Sequence, residues 1–238
     1  MNLVVDIGNT VSKAALFEDQ KLIKKQTFLE LNLQDLIHFT NSIKLSNCII
    51  SSVQKKNQNI EAIAKHFKAL YFSHKTPVPI PISYKTPTTL GTDRIAAIVG
   101  ANEEFPNQNL LSIDAGSCIT YDYFLDESYV GGRISPGLKM RFSALHKFTN
   151  QLPKVDSADL HFKKGTDTNS SIIAGVQQGA IDEMDAVITD FIKENQDAVV
   201  ILSGGDGNFF EKHLKNSIFA DPLIVLKGLN IILEFNAK

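Results

Sequence analysis

Residues 3–17 read LVVDIGNTVSKAALF, and the position of one carboxylate within this stretch decides how the rest of the chain is read. An apolar run, Leu3 to Val5, reaches Asp6; Gly8, Asn9 and Thr10 supply a turn; Val11 to Phe17 resumes the apolar pattern, with Lys13 near the bend. This is a β-hairpin. Gly and Asn tolerate positive φ, so such a turn can gather backbone N–H groups about one point. A concavity of that kind, with Thr10 and Lys13 beside it, suits phosphate oxygens. A carboxylate at the strand end opposes a bare phosphate but suits a Mg²⁺ ion that accompanies one. On its own the stretch is equally compatible with an ordinary hairpin carrying a solvated Asp6, and with Lys13 as a surface lysine at a strand edge.

The device recurs. Residues 110–120, LLSIDAGSCIT, repeat the apolar strand, the carboxylate at Asp114, a small residue, Gly116, a hydroxyl at Ser117 and an apolar strand onward to Tyr123. A duplication explains two such turns better than coincidence does. Two of them facing each other across a cleft would hold a nucleotide polyphosphate from both sides, an arrangement that resembles the actin, sugar-kinase and Hsp70 superfamily. The resemblance implies an α/β chain with a duplicated actin-like (ribonuclease H-like) ATPase fold, its two similar halves, 1–106 and 107–238, set around the nucleotide.

Composition narrows the partners. The chain has 238 residues, 43% hydrophobic and 21% charged, with a formal net charge of -2. That is ordinary globular material with no basic field for nucleic acid. Pairs such as Lys55-Lys56 and Lys163-Lys164 read as solvated loops. No apolar run approaches membrane-spanning length and the N-terminus lacks a signal pattern, so a cytoplasmic protein is expected. Cys48 and Cys118 read as buried thiols, and the six histidines are scattered singly without metal-ligand spacing.

In chain order, a third strand is expected over 21–28, a helix over 31–39, a strand over 47–53 and a helix over 58–67. Pro77, Pro79, Pro81 and Pro87 then enforce an extended connection. Gly91 precedes a helix whose first turn holds Thr92 and Asp93, where a carboxylate serves as a cap. Arg94 opposes the helix dipole there, a conflict that a substrate anion or carbonyl would relieve. A strand over 129–136, a helix from 138 to about 149, a polar loop over 151–164 and a long helix over 169–193 follow. Gly175 and Gly179 in that helix suit close packing, by another helix of the chain or by a second subunit. A buried parallel strand, 198–203, leads into Gly204-Gly205-Asp206-Gly207, a nucleotide contact or a plain turn. An apolar helix over 223–235 ends the chain.

Taken together and in order, DIGNTVSK (6–13), YKTPTTLGTDR (84–94), DAGSCIT (114–120), GGRISPG (131–137), GTDTNSSIIAGVQQG (165–179) and SGGDG (203–207) resemble type III pantothenate kinases over nearly the whole chain. The resemblance implies a homodimeric enzyme that moves the γ-phosphoryl group of ATP to pantothenate, with Mg²⁺ and a monovalent cation, K⁺ or NH₄⁺. It implies ATP contacts at Asp6, Ile7, Gly8, Asn9, Thr10, Val11, Ser12, Lys13 and Ser117. It implies pantothenate contacts at Tyr84, Gly91, Thr92, Asp93, Arg94 and Thr168, with Asp93 as the catalytic base. Asp114 would bind the monovalent cation and Asp6 the Mg²⁺. Two positions depart from the family pattern: Ser117 stands for the usual Thr, and Asp167 for the usual Asn. Two rivals remain, a phosphotransferase of the same superfamily with another acceptor, and a nucleotide-sensing regulator; nucleic acid and membrane are not expected partners.

Overall fold

β1 (Asn2–Ile7), β2 (Ser12–Glu18) and β3 (Lys21–Phe28) form the expected antiparallel run. The computed structural model describes every residue except Ser42, Lys56, 158–162, Gln196 and Lys238, so Lys56 and the middle of the 151–164 loop lie outside the described residues. Asn32 then opens α1 (Leu33–Thr40) with a reciprocal capping box: it accepts from the Asp35 N–H, and Asp35 accepts from the Asn32 N–H, each at 3.0 Å. β4 (Asn47–Ser52) returns parallel to β1, and Asn57 caps α2 (Gln58–His66) before β5 (Leu70–Tyr71). The sheet order is β3-β2-β1-β4-β5. Because side chains alternate along a strand, Leu3, Val5 and Ile7 pack with Cys48 and Ile50 against Leu36, Phe39, Ile60 and Ile63. Asn2, Val4 and Asp6 take the other face. There α3 (Thr92–Glu104) lies, with every residue from Arg94 to Ala101 buried.

The second sheet is built the same way. β6 (Leu110–Ala115), β7 (Cys118–Leu125) and β8 (Ser128–Pro136) precede α4 (Leu138–Lys147), α5 (Thr168–Glu194), β9 (Val199–Ser203), α6 (Gly207–His213) and β10 (Phe219–Ala220). Its order is β10-β9-β6-β7-β8, with β6 antiparallel to β7 and parallel to β9. Read from β8, this is the first sheet's order repeated. β1 and β6 also share one burial pattern, four buried residues, a half-buried acid and a buried sixth residue. This is the duplicated actin-like α/β fold. α4 and α5 cover one face through Leu138, Phe142, Ile172, Val176, Ala180 and Met184. Gly175 and Gly179 lie elsewhere on α5: no described atom would come within 4 Å of a Cβ at either, so no helix among the described residues packs there.

The chain divides into two units, Met1–Asn107 with Glu127–Val130 and Leu223–Lys238, and Gln108–Asp126 with Gly131–Pro222. The last helix, α7 (Ile224–Asn236), thus groups with the first unit rather than with the 107–238 half expected from sequence. Its apolar face finds cover on α3, where two glycines let the backbones meet. A Cβ on Gly228 would lie 1.8 Å from the Ala96 carbonyl oxygen, and one on Gly100 2.4 Å from that of Ile224. Lys227 pairs with Glu104, and Asn230 bonds Asn2 at 3.0 Å. The two-residue strands β5 and β10 were not anticipated, because so short a run shows no period.

Among the two thiols, Cys48 is buried, which pushes it up to about 12, whereas Cys118 is half-buried. No helix among the described residues is long and apolar enough to cross a membrane. Since the obstacle at Gly228 is backbone and cannot swing aside, Gly228→Ala is expected to cost on the order of 3 kcal/mol, the upper range for overpacked interiors. Denaturant unfolding of the variant beside the parent measures it.

Candidate functional site

The first turn is tight. The Gly8 N–H donates to the Val11 carbonyl at 3.1 Å, and a Cβ on Gly8 would sit 2.7 Å from that oxygen. Close approach is therefore what requires glycine here. Neither Gly8 nor Asn9 nor Gly116 adopts positive φ, contrary to the expectation from sequence; among the glycines that conformation falls to Gly131 and Gly204. The turn is braced by the Gln54 side chain, which donates to the Gly8 carbonyl at 2.7 Å, and by the Val53 N–H on the Ile7 carbonyl at 3.1 Å. Asn9 and Thr10 are exposed at its tip.

Across the sheet the register pairs Asp6 with Lys13 on β2 and with Ser51 on β4, so the three side chains form one row on the α3 face. Lys13 is half-buried on an internal strand and is not an edge lysine.

The second turn is two residues shorter, Gly116 and Ser117 alone linking β6 to β7. Its row is Thr120, Asp114 and Ser203. Ser203 is buried and its Oγ lies 3.3 Å from both the Asp114 Oδ2 and the Ile113 carbonyl. Two further segments press backbone against this turn. The Gly137 N–H donates to the Ser117 carbonyl at 3.2 Å, and a Cβ on Gly137 would stand 2.1 Å from the Gly116 oxygen. Gly204, at φ +97°, would place a Cβ 2.2 Å from the Ala115 oxygen, and the Asp206 N–H donates to that oxygen at 2.9 Å. The 204–207 loop is thus a turn, closed by the Gly207 N–H on the Gly204 carbonyl at 3.3 Å, that is docked on the acid strand. Burial raises the Asp206 carboxyl above its ordinary value.

Arg141 fixes the approach to Gly137. Its Nε donates to the Pro136 carbonyl at 2.8 Å, and it pairs with Glu183, which also accepts from the buried Tyr121 hydroxyl at 3.2 Å. Burial alone would raise the Glu183 carboxyl, but these hydrogen bonds hold it below the usual range.

Asp93 occupies the second position of α3, after Gly91, which as N-cap offers no side chain. It does not cap the helix in the expected manner. Its Oδ1 accepts the N–H of its immediate neighbour, Arg94, at 2.9 Å. Burial raises the Asp93 carboxyl, outweighing the opposing pull of the Arg94 N–H and guanidinium. Arg94 is itself buried, an expensive place for a cation. Thr92 turns its hydroxyl to Ser51, Oγ1 to Oγ 3.0 Å. Ser51 therefore joins the Asp6 row to the turn that carries Asp93.

The proline-rich stretch does more than connect. Ile82 bridges to Tyr129, the Ser83 N–H donates to the Tyr129 carbonyl at 2.8 Å, and the Tyr129 N–H donates to the Pro81 carbonyl at 3.0 Å. The half-buried Tyr84 ring then meets the fully buried Tyr129 ring edge-on, centroids 5.9 Å apart.

Thr168, exposed, is the first residue of α5. Its neighbour Asp167 is engaged in a capping box, accepting from the Ser170 N–H at 3.0 Å and from the Ser170 hydroxyl at 2.7 Å. Those bonds hold its carboxyl below the usual range. Asp in place of Asn thus preserves the cap, and its charge is turned into the helix start. Thr168 lines a cavity of about 570 Å³ with Leu145, Leu152, Gly165, Asp167 and Ile172.

The first unit accordingly gathers Asp6, Lys13, Ser51, Thr92 and Asp93, and the second gathers Asp114, Ser117, Ser203 and Gly204. The sequence assigns no role to Ser51, and it marks Ser203 only as the first residue of the SGGDG motif. The available signal was an apolar parallel strand ending in serine, CIISS and VVILS.

The family model described as type III pantothenate kinase matches residues 2–190. A type III pantothenate kinase of Phocaeicola vulgatus is 43% identical, with all of both chains covered. A solved Campylobacter jejuni protein assigned to the Baf family of transcriptional activators superposes with a TM-score of 0.62 at 23% identity, covering 98% of each chain. A Sinorhizobium meliloti structure assigned as a 2-dehydro-3-deoxygalactonokinase gives 0.57 at 11%, again over 98% of each. At such identities the two structures speak for the fold alone.

A half-buried carboxyl whose pKa is raised costs the fold stability once it ionises. The cost is absent while Asp93 is protonated in both folded and unfolded chains and grows as pH rises through the folded value. Asp93→Asn keeps an oxygen for the Arg94 N–H and removes the charge. The variant is expected to melt above the parent at neutral pH, the gap narrowing as pH falls toward the ordinary Asp value of about 4; paired thermal melts across pH test this.

Proposed function

The chain belongs to the type III pantothenate kinase family, and from that premise we propose how its residues divide the work. The enzyme is an ATP-dependent pantothenate kinase, transferring the γ-phosphoryl group to the primary hydroxyl of pantothenate in coenzyme A biosynthesis. Transfer of this kind passes through a loose transition state, so positioning and charge neutralisation supply most of the acceleration. In the proposed assignment the turn from Asp6 to Lys13 holds ATP phosphates through backbone N–H groups and the exposed Thr10 hydroxyl, with Lys13 adding charge. Ser117 contacts the same nucleotide.

Asp93 takes the proton from the pantothenate hydroxyl, the role for which a half-buried carboxylate acting near the end of bond formation suffices. The observation that carries this assignment is the desolvated Asp93 carboxylate at a helix start that lacks a cap. Arg94, Gly91, Thr92, Tyr84 and Thr168 orient pantothenate, the Tyr84 ring being held by Tyr129.

The acidic side chains suit hard cations, which take oxygen donors. No group of three or more His, Cys, Asp or Glu among the described residues could cage a metal, so Mg²⁺ would depend on phosphates and water beside Asp6. A monovalent cation would be held by Asp114 with neighbouring carbonyl oxygens, those of Gly116 and Ser117 being crowded together under Gly137. When bound, the ions supply charge neutralisation. A cytoplasmic homodimer completes the proposal. It is supported by the open flank at Gly175 and Gly179 and by the exposed apolar side chains Ile134, Met140 and Phe148 of the same unit.

An ADP-release assay with pantothenate tests the assignment: turnover should require pantothenate and rise with K⁺ or NH₄⁺. Asp93→Asn should abolish turnover while pantothenate and a non-hydrolysable ATP analogue still bind by calorimetry; undiminished turnover removes Asp93 from the base role. Gly175→Glu should shift the protein from dimer to monomer in light scattering, since a charged side chain on that flank would be buried unpaired.

A further inference from the structure

We infer that Ser51 is a positioning residue for phosphoryl transfer: its buried hydroxyl ties the first turn of α3, and with it Asp93, to the strand that runs beside Asp6. The inference rests on the assignment of Asp93 as base and deepens it. α3 begins after Gly91, so its first turn has no side-chain cap to set its orientation. The hydroxyl contact of Thr92 with Ser51, at 3.0 Å, supplies an anchor one residue from the base. Ser51 is 0% exposed and sits within a parallel ladder that pairs it with Asp6, so the position of its hydroxyl is fixed by backbone. A desolvated carboxylate gains free energy by turning toward water. A first turn left untethered would yield to that pull, and an error of an ångström in such a group costs about 100-fold in rate.

The second unit supports the reading independently. Its matching ladder position, Ser203 opposite Asp114, is also a buried serine with its hydroxyl on a polar partner. What differs is the partner: there the acid itself, here the helix that bears the base.

The test compares Ser51→Ala, Thr92→Val, their double variant, Ser51→Thr and Asp93→Asn in the ADP-release assay, each with a thermal melt. Losing one hydroxyl contact is expected to lower kcat about tenfold in Ser51→Ala, with KM for ATP within about twofold of the parent. The double variant should be no slower than Thr92→Val, because both remove the same bond. Ser51→Thr, which keeps the hydroxyl, should recover most of the turnover. A parent-like kcat in Ser51→Ala overturns the inference, as does a rise in ATP KM that matches the loss, or losses that multiply in the double variant. Should Ser51→Ala fail to fold, Thr92→Val decides, since Thr92 is only half-buried, and parent-like turnover there overturns it equally. An active Asp93→Asn would remove the base assignment and this inference together, whereas an inactive Asp93→Asn beside a silent Ser51→Ala would remove the tether alone.

Discussion

Parallel pairing of an acid-ended strand with a serine-ended one is the constraint from which the site follows. In both sheets the fifth residue of the central strand is a half-buried aspartate, and the ladder sets a serine beside it: Asp6 with Ser51, Asp114 with Ser203. Parallel strands cannot slip by one residue without turning every apolar side chain to the wrong face. The packing of Leu3, Val5 and Ile7 on one side therefore fixes on which face, and beside which ladder partners, the Asp6 carboxylate stands. Core and site are two faces of a single register.

Around that register the two repeats diverge in how they crowd the turn. The first turn is longer, with exposed Asn9 and Thr10 at its tip and a brace from Gln54 beneath. The second is shorter and is pressed by Gly137 and Gly204, whose missing side chains let their backbone approach the Gly116 and Ala115 oxygens. A loop that offers N–H groups and hydroxyls suits an anion, and a cluster of carbonyls beside a carboxylate suits a cation. Duplication followed by these local changes leaves two turns that differ in length and in what is packed on them.

Much of the architecture was legible in the residues, for reasons that differ by element. The two hairpins announced themselves because alternation, an acid and a glycine fall in the same order twice, and α5 because its apolar period persists over seven turns. Asp6, Asp93 and Asp114 stood out as acids placed where a strand ends or a helix begins. What stayed hidden depends on contacts distant in sequence. Ser51 and Thr92 are 41 residues apart, and nothing local marks either as a partner. The anchoring of Tyr84 by Tyr129 is equally remote, as is the docking of the Gly204 loop on Ala115. The glycine of the first turn illustrates another limit: its identity suggested left-handed backbone, whereas the requirement came from an oxygen 2.7 Å from an absent Cβ.

The seating of α7 on α3 through Gly100 and Gly228 ties the two ends of the polypeptide together. Asn2 and its partner Asn230 stand 228 residues apart, so the first sheet, already covered in part by α3, gains α7 only after the whole of the second repeat has been made. Residues 108–126 and 131–222 share a core that includes no residue of that helix, so the stitch between the two ends spans a repeat whose own packing does not use it.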